Sequence, residues 1–342
     1  HFTSGLLNVG GDEPWELGQG RSAAERERIG LGRLYLNYLL QLHAEVTKRG
    51  KTMLMWDDII VQYPELIPEL PHDLIAMIWG YEAGHPFEAR CQAFLNSGIA
   101  FYVCPGTSSW NTLTGRWDNM VANLVSAAEN GLKYGARGIL NTDWGDNGHW
   151  QTLPVSLPGF AYGAALAWGV AANRDLDLPA ALDAFAFEDQ AGVMGALMRR
   201  LGRLYLFPGQ ARFNGHALLD LLHAPQAAIP EIRADYLAAG YDPGTFAEIL
   251  AELDACEAAL AHAQMEVPDA GIIQRELLLA MDLLRHGARQ AQRALQVIDT
   301  PWDVLGEEQA ALLACYRAVW LARNRPGGLE DSVAKFGARA GT

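Results

Sequence analysis

"LLNVGGDEPWELG", residues 6 to 18, is a short apolar run that ends in two glycines and two adjacent acids. Leu6, Leu7 and Val9 read as a buried strand, and Gly10-Gly11 lets the backbone leave it without steric cost. Asp12 and Glu13 then fall at the strand's C-terminal tip, where α/β folds keep their chemistry. Read alone, the segment fits a strand-to-loop turn with solvated acids equally well. The decision rests on whether other strands end the same way.

They do. Up to about residue 170 the sequence alternates strand and helix, which predicts a parallel α/β fold. The strands read "GLLNV", "TMLMW", "LIAMIW", "AFYVC" and "GILNTDW". Helical spacing covers residues 23–49, 86–97, 119–132 and 157–170. The strand ends are "GGDEPW" (10–15), "MWDDI" (55–59), "IWGYE" (78–82), "CPGTSSWN" (104–111) and "NTDWGDNGHW" (141–150). A tryptophan that only fills a core has no reason to recur at strand ends. Acids, tryptophans and glycines at one end of successive parallel strands predict one site built from their loops.

After residue 175 alternation stops and Ala/Leu-rich helical stretches take over, such as "YDPGTFAEILAELDACEAALAHAQ", "IIQRELLLAMDLLRHGARQAQRALQVI" and "EEQAALLACYRAVWLARN". Their breaks fall at "HAPQAAIP", "AAGYDPG" and "VIDTPWD". The expected organisation is part of a barrel over 1–172 and an all-α domain over 173–342.

The bulk composition fits a large buried core: 342 residues, 50% hydrophobic and 19% charged. A formal charge of −14 argues against nucleic acid or an anionic membrane as partner, because both attract basic surfaces. The longest apolar runs fall short of a membrane span. Four scattered cysteines make neither a zinc motif nor a disulfide framework and fit a reducing, cytoplasmic compartment. Eight of the ten tryptophans lie in the first half, and broad aromatic faces pack against sugar rings as well as in cores.

With the strand ends in hand, the pattern resembles glycoside hydrolase family 20, the β-N-acetylhexosaminidases. "NVGGDE" is similar to its H-x-G-G-D-E signature, with Asn8 where His is usual. "MLMWDD" resembles the following W-D-E strand end, and "MIWGY" the next tryptophan-bearing strand. "LNTDWGD" resembles the final W-x-E, with Asp146 in place of Glu. The resemblance covers residues 5 to 170 and implies a (β/α)8 TIM-type barrel, of which the last five β-α units are present, followed by a helical domain. Because the family's acid pair follows its fourth strand, the resemblance also implies that the chain is a fragment.

Adjacent acids cannot readily straddle a glycosidic bond as acid and nucleophile, so different roles are expected for them. The resemblance implies substrate-assisted hydrolysis of terminal β-linked GlcNAc or GalNAc, in which the sugar's own 2-acetamido oxygen attacks C1. Glu13 would then be the general acid and later base. Asp12 would orient the acetamide N–H and stabilise the developing positive charge. Repulsion between the two carboxylates favours keeping one protonated, as a general acid needs.

Trp56, Trp79 and Trp144 would wall the pocket, with Trp110 beside them, and Asp146 would hydrogen-bond sugar hydroxyls. The family's acetamide-binding tyrosine segment reads "PGTSSWN" here; Tyr81 is the substitute, and Asn111 stands where an Asp binds a hydroxyl. No cofactor is called for. A metal site on Asp143, Asp146 and His149 is set aside, because Gly145 and Gly148 interrupt the helix that would align them. Two other readings remain: a non-catalytic sugar-binding barrel, and a retaining glycosidase with Asp146 or Asp143 as nucleophile.

Overall fold

The computed structural model describes residues 3–207, 212–223, 233–234, 237 and 243–336. The expected breaks "HAPQAAIP" and "AAGYDPG" lie largely outside the described residues. The chain divides into two compact units that interleave along the sequence. Unit one takes residues 1–106, 122–142 and 166–174, and unit two takes 107–121, 143–165 and 175–342.

Unit one is built on a parallel sheet. Its strands β1 (Leu6–Asn8), β2 (Thr52–Trp56), β3 (Ile75–Trp79) and β4 (Ala100–Cys104) pair in the order β1-β2-β3-β4. Leu6 lies opposite Thr52, Leu54 opposite Ile75 and Ile75 opposite Ala100. Met53, Met55, Ala76, Ile78, Phe101 and Val103 are buried, so the middle strands read as apolar runs rather than alternating ones. Their core includes Tyr35, Leu36 and Leu39 of the helix Leu31–Thr47 and Phe87, Cys91 and Phe94 of the helix Phe87–Ser97.

The helix expected over 23–49 is broken in two at Gly30, whose φ of 84° no continuous right-handed helix accommodates. The first part, Ala23–Ile29, buries none of its residues.

The fifth strand, expected at "GILNTDW", is reduced to two isolated parallel bridges, Val103 with Ile139 and Gly106 with Thr142. The ladder starts normally. Val103 N–H donates to the Gly138 carbonyl (3.2 Å), and Leu140 N–H donates to the Val103 carbonyl (3.0 Å). The next donor along β4 would be residue 105, and Pro105 has no N–H. The Thr142 N–H still donates to the Pro105 carbonyl at 2.9 Å. One missing donor therefore turns a strand into a bridged segment. What is described is a mixed α/β unit with a small four-stranded parallel sheet, in which β1 pairs with β2 alone among the described residues.

Unit two is mostly helical. After 175 its α-helices among the described residues include Leu178–Phe185, Met194–Leu201, Ala217–His223, Pro243–Leu260, Ala270–Ala294, Trp302–Arg323 and Leu329–Ala334. The long Ala270–Ala294 helix buries an unbroken face that includes Ile273, Leu277, Leu284, Ala288 and Ala291. Asp189 ties the first part of this unit together. Its carboxylate accepts N–H groups from Val193 (2.8 Å), Met194 (3.1 Å) and Gln264. Arg323 donates to both oxygens of the buried Glu276 (2.8 and 2.9 Å) and to Asp269 (2.8 Å), which closes the charge in the helical interior.

Candidate active site

In unit one the strand tips bring a set of acids and aromatics together. Gly10 and Gly11 have φ of 76° and 93°, which carries the chain out of β1 in a left-handed path that only glycine follows cheaply. A Cβ on Gly11 would lie 2.9 Å from the Tyr35 hydroxyl, which donates to the Gly11 carbonyl at 2.7 Å. The turn is thus pinned from below by the neighbouring helix. Glu13 also takes a positive φ, 43°, which is unusual for a residue with a side chain. Asp12 and Glu13 are both exposed at this tip.

Two acids at the tip of β2 hold the arrangement. Asp58 Oδ2 accepts the Glu13 backbone N–H at 3.0 Å, and its Oδ1 accepts the Trp79 indole N–H at 3.2 Å. Burial pushes the Asp58 carboxyl above its ordinary range, with the neighbouring Asp12 charge adding to the shift and the two donated N–H groups opposing it. Asp57 is wholly buried; it accepts the Trp79 backbone N–H (3.2 Å) and the Arg90 guanidinium (3.1 and 3.3 Å). Burial raises its carboxyl to about 7, against the pull of Arg90. Burial, with the Asp58, Asp12 and Asp57 charges nearby, also raises the Tyr35 hydroxyl.

Trp79 stacks on Tyr81 with ring centroids 5.1 Å apart. His85 sits beside them, edge-on to Phe87 and held neutral by burial, which lowers it to about 4. A Cβ on Gly80 would overlap the His85 ring at 2.0 Å, so glycine is required there. Trp56 is 8% exposed and belongs more to the sheet interior than to an open face.

The remaining sequence-predicted residues lie in unit two. Trp110 is 1% exposed and its indole N–H donates to Asn214 Oδ1 (2.9 Å), so it fills the interior and presents no open ring face. Asn111, with φ of 55°, accepts from Asn147 Nδ2 at 2.9 Å and hydrogen-bonds Asp146. Burial raises the Asp146 carboxyl. Trp144 is half-buried, and its carbonyl accepts the Gln151 amide. Asp143 Oδ1 accepts hydroxyls from Thr107, Ser109 and Ser156.

A cavity of about 370 Å³ opens in this unit beside Asp143, His149, Trp150, Phe160, Tyr316 and Trp320. Among the described residues no group of three or more His, Cys, Asp or Glu is placed to hold a metal ion.

Within unit one, therefore, Glu13, Asp12, Trp79 and Tyr81 share one edge of the sheet. Asp58, Asp57, Arg90 and Tyr35 complete it, and sequence reasoning did not name them as site residues. The doubled acid in "WDD" was the available signal for the first two. Tyr35 and Arg90 sit on helices, where nothing in the local pattern marks them.

No family model matches the chain, and no curated protein matches it. Among solved structures, the chain is similar to an X-ray structure of a chitobiase from Flavobacterium johnsoniae, with a TM-score of 0.30 and 12% identity. The match covers 96% of this chain and 55% of that one. The chain spans about half the length of that chitobiase.

Proposed function

We propose that the chain carries the catalytic acid of a retaining exo-β-N-acetylhexosaminidase. It would release terminal β-linked GlcNAc or GalNAc from a glycan or glycoconjugate through an oxazolinium intermediate, on a sheet that forms part of a (β/α)8 barrel. The observation that carries this reading is the edge just described. An exposed Asp-Glu pair leaves the tip of β1 while Asp58 links it to the aromatic Trp79–Tyr81 stack at the tip of β3.

In the proposed reaction Glu13 protonates the leaving oxygen as the acetamide oxygen closes on C1. Asp12 accepts the acetamide N–H and offsets the charge that grows on it, a contact that strengthens toward the transition state. Trp79 and Tyr81 exclude water and hold the acetamide in attacking position, where orientation alone contributes several kcal/mol. Glu13 then returns as base to activate water.

A carboxylate nucleophile would need a second acid about 5 Å from Glu13. Asp58 lies against the Glu13 backbone, but each of its oxygens already accepts an N–H. Asp143 Oδ1 is taken by three hydroxyls.

The test compares rates on an aryl N-acetyl-β-glucosaminide and the matching aryl β-glucoside, with Glu13→Gln beside the unaltered chain. The expected result is hydrolysis of the acetamido substrate alone, lost in Glu13→Gln while binding persists. Equal rates on both substrates would remove substrate assistance. Sugar binding without turnover would leave a lectin-like pocket.

A further inference from the structure

We infer that Asp58 is a positioning residue that sets the general acid and the aromatic wall together, by holding the Glu13 backbone N–H on one carboxylate oxygen and the Trp79 indole N–H on the other. The inference rests on the reading of Glu13 as general acid. It assigns a role to an acid that neither touches the reacting atoms nor acts as nucleophile.

The geometry is specific. The two bonds, 3.0 and 3.2 Å, come from residues 66 positions apart, at the tips of two strands that are not neighbours in the sheet. Asp58 lies just past the end of β2, the strand between them. A bond to the backbone N–H, rather than to the side chain, bears on where Glu13 points. Glu13 stands in the left-handed region, where an L-residue stays only when its surroundings hold it. The Asp58 bond restrains that peptide and hence the direction in which the Glu13 side chain leaves the chain.

The other oxygen restrains the indole plane of Trp79, which in turn stacks on Tyr81. Charge-assisted bonds of this kind are about twice as strong as neutral ones. The partial burial of Asp58 makes it a poor place for a carboxylate with no task.

The titratable groups around it are Asp12, whose charge disfavours its ionised form, and Asp57 and Tyr35, both of which its own charge raises. The donated Glu13 and Trp79 N–H groups compensate. Asparagine at 58 keeps the shape but presents one acceptor and one donor, so it can serve only one of the two N–H groups.

Two measurements test this. The first is steady-state hydrolysis of an aryl N-acetyl-β-glucosaminide by Asp58→Asn. The expected result is a kcat lower by roughly 10- to 100-fold with KM within about threefold, as for a catalytic group displaced by a fraction of an ångström. A variant that folds and keeps its kcat overturns the inference.

The second uses the unaltered chain and needs no activity. The Glu13 amide and Trp79 indole proton resonances are followed against pH. Both should titrate with one common midpoint, above the ordinary aspartate range, because both report the same carboxylate. Separate midpoints, or no titration of either, overturn the inference even if Asp58→Asn fails to fold. The general-acid reading fails by itself if Glu13→Gln keeps the parent rate, while the shared midpoint still decides whether Asp58 joins the two groups.

Discussion

At the scale of the residue, the tip of β1 is held in a conformation that its most reactive side chain does not favour. Gly10 and Gly11 accept a positive φ freely, but Glu13 does so at a cost of about 1–2 kcal/mol. Replacing Glu13 by glycine should therefore raise the unfolding free energy by about 1 kcal/mol, and with it the urea midpoint. Urea unfolding of the variant beside the parent checks this, and a lower midpoint would mean that unseen contacts of the Glu13 side chain outweigh the strain. The sequence placed the acid pair and Trp79 at strand tips. Trp56 and Trp110, read there as pocket walls, are buried, because an indole beside a strand end packs into the interior as readily as it faces a ligand. The groups that hold the strand tips were not legible. Tyr35 reaches the Gly11 carbonyl from 24 positions away, and Arg90 reaches Asp57 from 33 positions away, and no local pattern encodes such pairings.

At the scale of the element, the positions of four of five strands and of the main helices were legible from the pattern of apolar residues, but β1, read as buried, is exposed, with Leu6 at 45% and Leu7 at 39%. The fifth strand was misjudged for a local reason: its own sequence is strand-like, but its neighbour supplies a proline where a donor is needed. Asn123, on the helix Trp117–Tyr134, serves the other side of β4. Its Oδ1 accepts the Gly106 N–H, and its Nδ2 donates to the Gly80 (2.9 Å) and Glu82 (3.0 Å) carbonyls. One buried amide thus ties the segments after β3 and β4. Asn123→Ala should cost about 2 kcal/mol, since it orphans the buried Gly106 N–H and Gly80 carbonyl, whereas the Glu82 carbonyl keeps the His85 N–H. It should also speed exchange of the Gly106 amide well beyond that of the β2 amides. Exchange that rises equally in both places would point to general loosening instead.

At the scale of the whole molecule, one carboxyl in each unit is shifted by its surroundings, and the two are shifted in opposite directions. The Asp57 carboxyl in unit one is raised from 3.8 to about 7 by burial. Its contribution is fully present below the unfolded value and is lost as pH rises through 7. Asp189 in unit two is partly desolvated, which raises its carboxyl, but four backbone N–H bonds outweigh this and leave it below its ordinary value. Its contribution is present above the unfolded value and is lost as pH falls through the lowered folded one.

Hydrogen exchange read separately in each unit should show both. Asp57→Asn should flatten the pH dependence of unit one between about 4 and 7. Asp189→Asn should weaken unit two at neutral pH and leave little difference from the parent in strong acid. Exchange in the two units that moves together in both variants would contradict separate control.

The interleaving of the units has a consequence for how such a gene can change. The chain passes from one unit to the other after residues 106, 121, 142, 165 and 174, so no single cut yields both units whole. A deletion after 174 strips residues 107–121 and 143–165 of the helices they are compact with, and a fusion at that point inherits the same defect. Recombination at one crossover cannot trade the helical part for another, and the two units must be passed on, or lost, as one.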